Sequence, residues 1–163
     1  MTILCNIIKV KCTGKREQRN NRSKRQVVGT VAFSAYLDHD VTNLGPDHTI
    51  QFHGVVLNKG NAYNPNTGIF TVPLDGVYFL TFAAEDYRFH REWLNLVVDG
   101  QLFSSTVFGA ANGHFVGSNI VLARLTIGQS VWVAVDSRET TGGSLQGDNT
   151  ERFTTFSGFY LYE

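Results

Sequence analysis

Residues 58–84 read NKGNAYNPNTGIFTVPLDGVYFLTFAA, a turn-rich approach followed by two apolar runs on either side of a Pro-Leu-Asp-Gly corner. Gly68 to Val72 is short, β-branched and aromatic, and Pro73 ends it. Asp75-Gly76 turns the chain, and residues 77–84 form a longer run of strand-forming residues. This longer run does not alternate. Val77, Phe79, Thr81 and Ala83 fall on one face of a strand and Tyr78, Leu80, Phe82 and Ala84 on the other. An antiparallel strand at the surface ordinarily turns a polar face to water, so a strand with two apolar faces needs cover on both. A second subunit is one source of that cover.

Outward from this stretch the chain keeps the same character. Residues 31–36 read as a first strand and residues 49–57 as extended chain. Residues 94–98 and 101–107 flank Asp99-Gly100, the dipeptide that tolerates the positive φ values of a two-residue hairpin turn. Residues 119–125, 129–136 and 153–162 supply three more strands, the first two joined through Thr126, Ile127 and Gly128. In the last strand Phe156, Gly158, Tyr160 and Tyr162 are expected on one face, and Ser157, Phe159 and Leu161 on the other. Eight to ten short strands with no helical period predict an all-β antiparallel sandwich. The apolar candidates for its core or for a subunit interface are Tyr78, Leu80, Phe82, Phe156, Tyr160 and Tyr162.

With 163 residues, 42% hydrophobic and 17% charged, the chain has the material for one domain with a core of its own. Its zero net charge conceals an asymmetry. Of fourteen basic and fourteen acidic residues, residues 1–30 hold eight basic ones and Glu17 alone among the acids, which leaves six against thirteen in the body. Residues 11–26 contain almost nothing apolar, so residues 1–30 are expected to be a flexible basic segment ahead of a globular domain over 31–163. The acidic body argues against a nucleic-acid partner. Arg22-Ser23-Lys24-Arg25 has the form of a convertase cleavage site and Asn21-Arg22-Ser23 that of a glycosylation sequon; both patterns also arise by chance in such a tail. Cys5 and Cys12 are the only cysteines, so no disulfide spans the body. No apolar run approaches the roughly 20 residues of a membrane span, which predicts no membrane insertion, and residues 1–10 make no convincing signal peptide.

The order Asn58, Tyr63, Thr67-Gly68-Ile69-Phe70-Thr71, Pro73, Gly76-Val77-Tyr78-Phe79 and Phe82 resembles the signature of the C1q-type globular domain, the head module of complement C1q. Ala32-Phe33-Ser34-Ala35, residues 125–133 (LTIGQSVWV) and residues 155–162 (TFSGFYLY) resemble the family's first, penultimate and last strands. The resemblance spans residues 31–163. It implies a ten-stranded jelly roll shared with tumour-necrosis-factor-like ligands, secretion, and assembly as a homotrimer. No Gly-X-Y stretch and no heptad run occurs, so a stand-alone head without a collagen stalk is expected, with trimer formation resting on the head surfaces.

Catalytic patterns are lacking: there is no Gly-x-Ser-x-Gly elbow, no His-Glu-x-x-His and no phosphate-binding loop, so the chain is not expected to be an enzyme. The five histidines, His39, His48, His53, His90 and His114, stand at no spacing that suggests zinc, and no metal ligands are assigned. The family resemblance implies calcium held by Asp and Gln side chains near the trimer apex. The matching segment, residues 108–117, has no carboxylate, and Asn112 with backbone carbonyls is a poor substitute, so the family site is not carried over. No cofactor is expected, while Asp136, Glu139, Asp148 and Glu151 leave calcium open elsewhere.

Two loops carry the chemistry of recognition. Tyr87, Arg88, His90, Arg91 and Trp93 combine aromatic faces with hydrogen-bond donors, the pairing used for carbohydrate or protein ligands. Residues 136–152 form a long polar loop rich in glycine. The expectation is a secreted, extracellular pattern-recognition protein of innate immunity, lectin-like, that binds carbohydrate or microbial surfaces. The alternative is a secreted trimeric signalling or adaptor ligand with a protein receptor.

Overall fold

A computed structural model describes residues 31–86, 91–109, 115–138 and 143–163. The basic segment, Tyr87, Arg88 and His90 of the first candidate loop, Asn112 and Glu139 lie outside the described residues. In chain order the strands are β1 (Ala32–Tyr36), β2 (Val41–Leu44), β3 (Gly54–Lys59), β4 (Tyr63–Asn64), β5 (Ile69–Thr71), β6 (Gly76–Glu85), β7 (Glu92–Val98), β8 (Gln101–Phe108), β9 (Val116–Leu125), β10 (Ser130–Val135), β11 (Gly143–Leu145) and β12 (Thr155–Tyr162). Two five-stranded sheets, β3-β1-β12-β6-β9 and β4-β5-β10-β7-β8, face each other, and β11-β2 forms a separate ribbon. Every pairing is antiparallel. The fold is the expected jelly roll, with ten strands in its two main sheets.

The Asn58 to Tyr63 spacing has a local cause. The Asn58 amide stands in for a strand neighbour: its Nδ2 donates to the Tyr63 carbonyl at 2.8 Å and its Oδ1 accepts from the Tyr63 N–H at 3.2 Å. Tyr63 is thereby turned into the core, where its hydroxyl donates to the Phe52 carbonyl at 3.1 Å and accepts from the Phe52 N–H at 3.2 Å. Burial raises the phenol above its ordinary titration range, an effect partly offset by the Phe52 backbone bond. Phe33 stacks on Tyr63 and Phe70, at centroid distances of 5.2 and 4.7 Å, and meets the edge of Phe156 at 4.8 Å. These aromatics join the two sheets, and the Tyr63 hydroxyl buried among them is paired both as donor and as acceptor with the backbone of a single residue, Phe52.

The two-faced strand, β6, lies between β12 and β9. Tyr78, Leu80, Phe82 and Ala84 point inward and are fully buried, together with Phe156 of β12. Those candidates are thus core residues of the single chain. Tyr160 is partly buried and packs on the same core, edge-on to Tyr78 at 5.4 Å. Gly158 is required where it stands: a Cβ there would lie 2.7 Å from the Leu80 side chain and 2.9 Å from the Phe33 ring. Asp99 and Gly100 both have positive φ, 47° and 81°, as the two-residue hairpin between β7 and β8 demands.

Two expectations are corrected. Tyr162 does not share a face with Tyr160. A bulge between them pairs Tyr160 with Tyr78 but Tyr162 with Val77, and one extra residue in the strand sends Tyr162 to the outer side. Within the extended stretch 49–57 the strand proper begins at Gly54. Residues 136–152 are not wholly loop: Gly143, Ser144 and Leu145 are buried and pair with β2. Thr126, Ile127 and Gly128 also carry the chain from one sheet to the other, since β9 pairs with β6 while β10 pairs with β5 and β7.

Candidate functional site

In the second sheet β7 alternates along its length, and β10 does so as far as Val133, after which Ala134 is also covered. Leu94, Leu96 and Val98 point inward with Val131, Val133 and Val135, while Trp93, Asn95, Val97 and Trp132 are turned outward. Asn95, Val97 and Trp132 line a cleft of about 670 Å³ together with Asp47, Thr49, Asp136, Ser137 and Arg138. The loop carrying Asp47 and Thr49 is held against β10 by the Asp47 N–H bond to the Val135 carbonyl, 3.2 Å, and the Thr49 to Ala134 bridge. Trp132 therefore sits on a rigid sheet with polar groups converging around it.

A hydrogen-bond chain runs across the strands of this face. Arg138 donates from Nε and Nη2 to the two oxygens of Asp136, at 2.6 and 2.9 Å. Asn95 Nδ2 donates to Asp136 Oδ2 at 3.0 Å, and the Ser105 hydroxyl donates to Asn95 Oδ1 at 2.7 Å. The Arg138 side-chain bond leads the influences that hold the Asp136 carboxyl well below the usual carboxylate range, outweighing its burial. Forked pairing of this kind fixes the plane of the guanidinium, which also lies over the Trp93 ring at 5.9 Å.

Of the candidate loop residues, Arg91 and Trp93 are described. They line a second cleft of about 590 Å³ with Val107, Phe108, Gly109, Phe115 and Val116. The Trp93–Arg138 stack lies where the two clefts approach each other. Between Asp86 and Arg91 the loop's ends are fastened to the buried ribbon: Ser144 donates its hydroxyl to Asp86 Oδ1 at 2.5 Å and its N–H to Glu92 Oε1 at 2.9 Å. Asp136 and Arg138 were within reach of sequence reasoning as part of the second polar loop. Trp132 and Asn95 were missed; the available signal was a tryptophan in the outward register of an otherwise regular strand. Of the four acids considered for calcium, two are already engaged, Asp136 by Arg138 and Asn95, and Asp148 by Thr150 and the Glu151 N–H.

The outer face of the first sheet is different in kind. Cross-strand registers place Phe79 beside Phe159 and Leu122, Thr81 beside Ile120, and Val77 beside Tyr162. Leu122 and Ile120 are 66% and 61% exposed, and Phe159 and Tyr162 are also exposed. A family profile described as the C1q domain matches residues 32–161. The chain belongs to the C1q domain family. Complement C1q tumor necrosis factor-related protein 3 of Mus musculus and of Homo sapiens are each 33% identical to it over 135 residues, which cover 82% of this chain and 52% of theirs. The chain thus spans about half the length of these curated relatives. Human multimerin-1 is 32% identical over 139 residues, covering 81% of this chain and 10% of its own. Among solved structures, the globular domain of zebrafish complement 1qA superposes with a TM-score of 0.66 at 21% identity, covering 82% of this chain and 98% of that one. Murine APRIL at pH 8.0 gives 0.62 at 12% identity, covering 81% and 99%. These likenesses bear on the fold. The C1q domain family is one of non-enzymatic recognition and signalling proteins. No helix among the described residues is long and apolar enough to cross a membrane, which says nothing of a β-barrel.

Proposed function

We propose that this C1q domain is the recognition head of a secreted homotrimer, and that it binds carbohydrate of the kind displayed on microbial surfaces. The supporting observation is the cleft around Trp132, where an aromatic face is ringed by Asp47, Thr49, Asn95, Asp136 and Arg138. Sugars offer an apolar C–H face and a rim of hydroxyls, and an aromatic platform with planar hydrogen-bonding groups beside it meets both. Arg91 and Trp93 extend the binding surface toward the second cleft. The apolar outer face of the other sheet is left for the subunit contact, so self-assembly and ligand binding use opposite sides of the sandwich. Calcium is given no part, because of the two carboxylates in the cleft Asp136 is already bonded to Arg138 and Asn95, and Asp47 alone supplies too few oxygens.

A second reading, a trimeric signalling ligand for a protein receptor, is favoured by the relatives named for tumour-necrosis-factor relatedness at 33% identity. Binding of the purified chain and of Trp132→Ala to a glycan and microbial-surface array, beside a panel of receptor ectodomains, separates the two. Glycan binding that survives chelation and is lost in Trp132→Ala supports the lectin. Binding to a receptor ectodomain with no glycan bound sinks it in favour of the signalling ligand.

A further inference from the structure

Folding brings together two histidines that sequence spacing keeps apart. His39, after β1, and His53, just before β3, approach to 5.6 Å between ring centroids, and Asp38 Oδ1 lies 2.6 Å from His39 Nδ1. One ligand atom from each of Asp38, His39 and His53 falls within 4.8 Å of the other two. Together with His48, Gln51 and apolar side chains, the two histidines border a small cavity of about 120 Å³.

The backbones that present these side chains are pinned. Leu37 is fully buried and its N–H donates to the Thr154 carbonyl at 2.9 Å. Phe52, beside His53, is fully buried and both of its backbone groups are bonded to the Tyr63 hydroxyl. Gly147 packs so tightly on the His39 backbone that a Cβ there would sit 2.1 Å from the His39 carbonyl oxygen, and its N–H donates to Asp40 Oδ1 at 3.0 Å. Asp40 is thus a strut for the loop rather than a ligand. A metal site needs its ligands carried on backbone that is itself held in place, and these two segments meet that need.

The geometry points to a site for a zinc-class divalent transition cation, held by His39, His53 and Asp38. Two imidazole nitrogens and one carboxylate oxygen form a borderline donor set, which suits zinc and its neighbours and ill suits calcium or magnesium. Bonds of about 2.0–2.1 Å to a tetrahedral ion bring ligand atoms to roughly 3.3 Å from one another. The wider separations, up to 4.8 Å, close to that and the 2.6 Å Asp38–His39 contact opens to it by side-chain rotation, for which the 60% exposed His39 side chain has room. Three protein ligands leave a coordination position for water or an outside ligand.

The test is cobalt binding to the full chain carrying Cys5→Ser and Cys12→Ser, so that tail thiols do not compete, read as visible absorbance and displaced by zinc. One cobalt per chain is expected, with affinity falling by at least roughly tenfold in His39→Ala and in His53→Ala and unchanged in His48→Ala. Metal-free melting curves matching the parent show that each variant folds; His39→Asn and His53→Gln replace any that does not. An absence of absorbance, equal affinity in the His39 and His53 variants, or an equal loss in His48→Ala overturns the assignment.

Discussion

The rings of Phe79 and Phe159 stack at 5.0 Å, inclined by 23°, on the outer surface of the first sheet, where the described residues give them no second layer. They sit in register with Leu122, and Ile120 and Tyr162 continue the same apolar surface. Exposed apolar clusters of this kind ordinarily mark an interface. If the proposed trimer uses this face, Leu122→Asp should convert a trimer to monomer in sedimentation equilibrium at micromolar concentration, with the far-UV spectrum kept. A carboxylate buried there without a partner costs several kcal/mol. A parent chain that sediments as a monomer removes the trimer from the proposal.

Leu80 is the contrasting case, one residue further along the same strand but fully buried. Leu80→Ala should lower folding stability by about 2–5 kcal/mol in urea titration, because the cavity it leaves is walled by side chains from both sheets. Gly158→Ala should also destabilise, by about 1–3 kcal/mol, since its methyl would press on Leu80 and Phe33. A neutral result for either would mean that the core relaxes around this point.

Asp136 sets an acid limit. Its ordinary value is 3.8 and the folded value lies lower, chiefly through Arg138, so its contribution to stability is complete above the unfolded value and disappears as pH falls through the folded one. Urea midpoints of the parent should therefore drop between roughly pH 5 and pH 2. Arg138→Ala should flatten part of that slope. Asp148, also held low, mainly by Thr150, contributes alike in both proteins and leaves the difference to Asp136. Identical slopes in the two proteins would show that the pair is not coupled to folding.

The basic segment should be dispensable for folding. Deletion of residues 1–26, which precede the region matched by the C1q domain, is expected to leave the melting temperature within a few degrees. A larger fall would show that Ile7 and Ile8 dock on the body.

The sandwich and its main strands were legible because their signals are local: Pro73, Asp75-Gly76 and Asp99-Gly100 punctuate the chain, and β-branched and aromatic runs lie between them. The Asn58 to Tyr63 relationship was visible as a spacing and acquired its reason only when the Asn58 amide was seen to occupy a strand neighbour's place. That β6 has two apolar faces was evident from residues 77–84 alone. Which face belongs to the core was not, because alternation assigns residues to sides without saying which side the second sheet covers. Pairing with β9 and β12 decided that Tyr78, Leu80 and Phe82 are interior and that Phe79, Phe159 and Leu122 are not. The bulge that turns Tyr162 outward depends on register against Val77, a property of two strands that neither carries by itself. The same holds for the functional surfaces: Trp132, Asn95 and Arg138 come from different strands and a loop, and His39 meets His53 only because the loops after β1 and before β3 end beside each other. Local sequence determined where strands begin and turn; contacts between segments distant in the chain, which side-chain period cannot encode, decided what those strands present to one another and to a ligand.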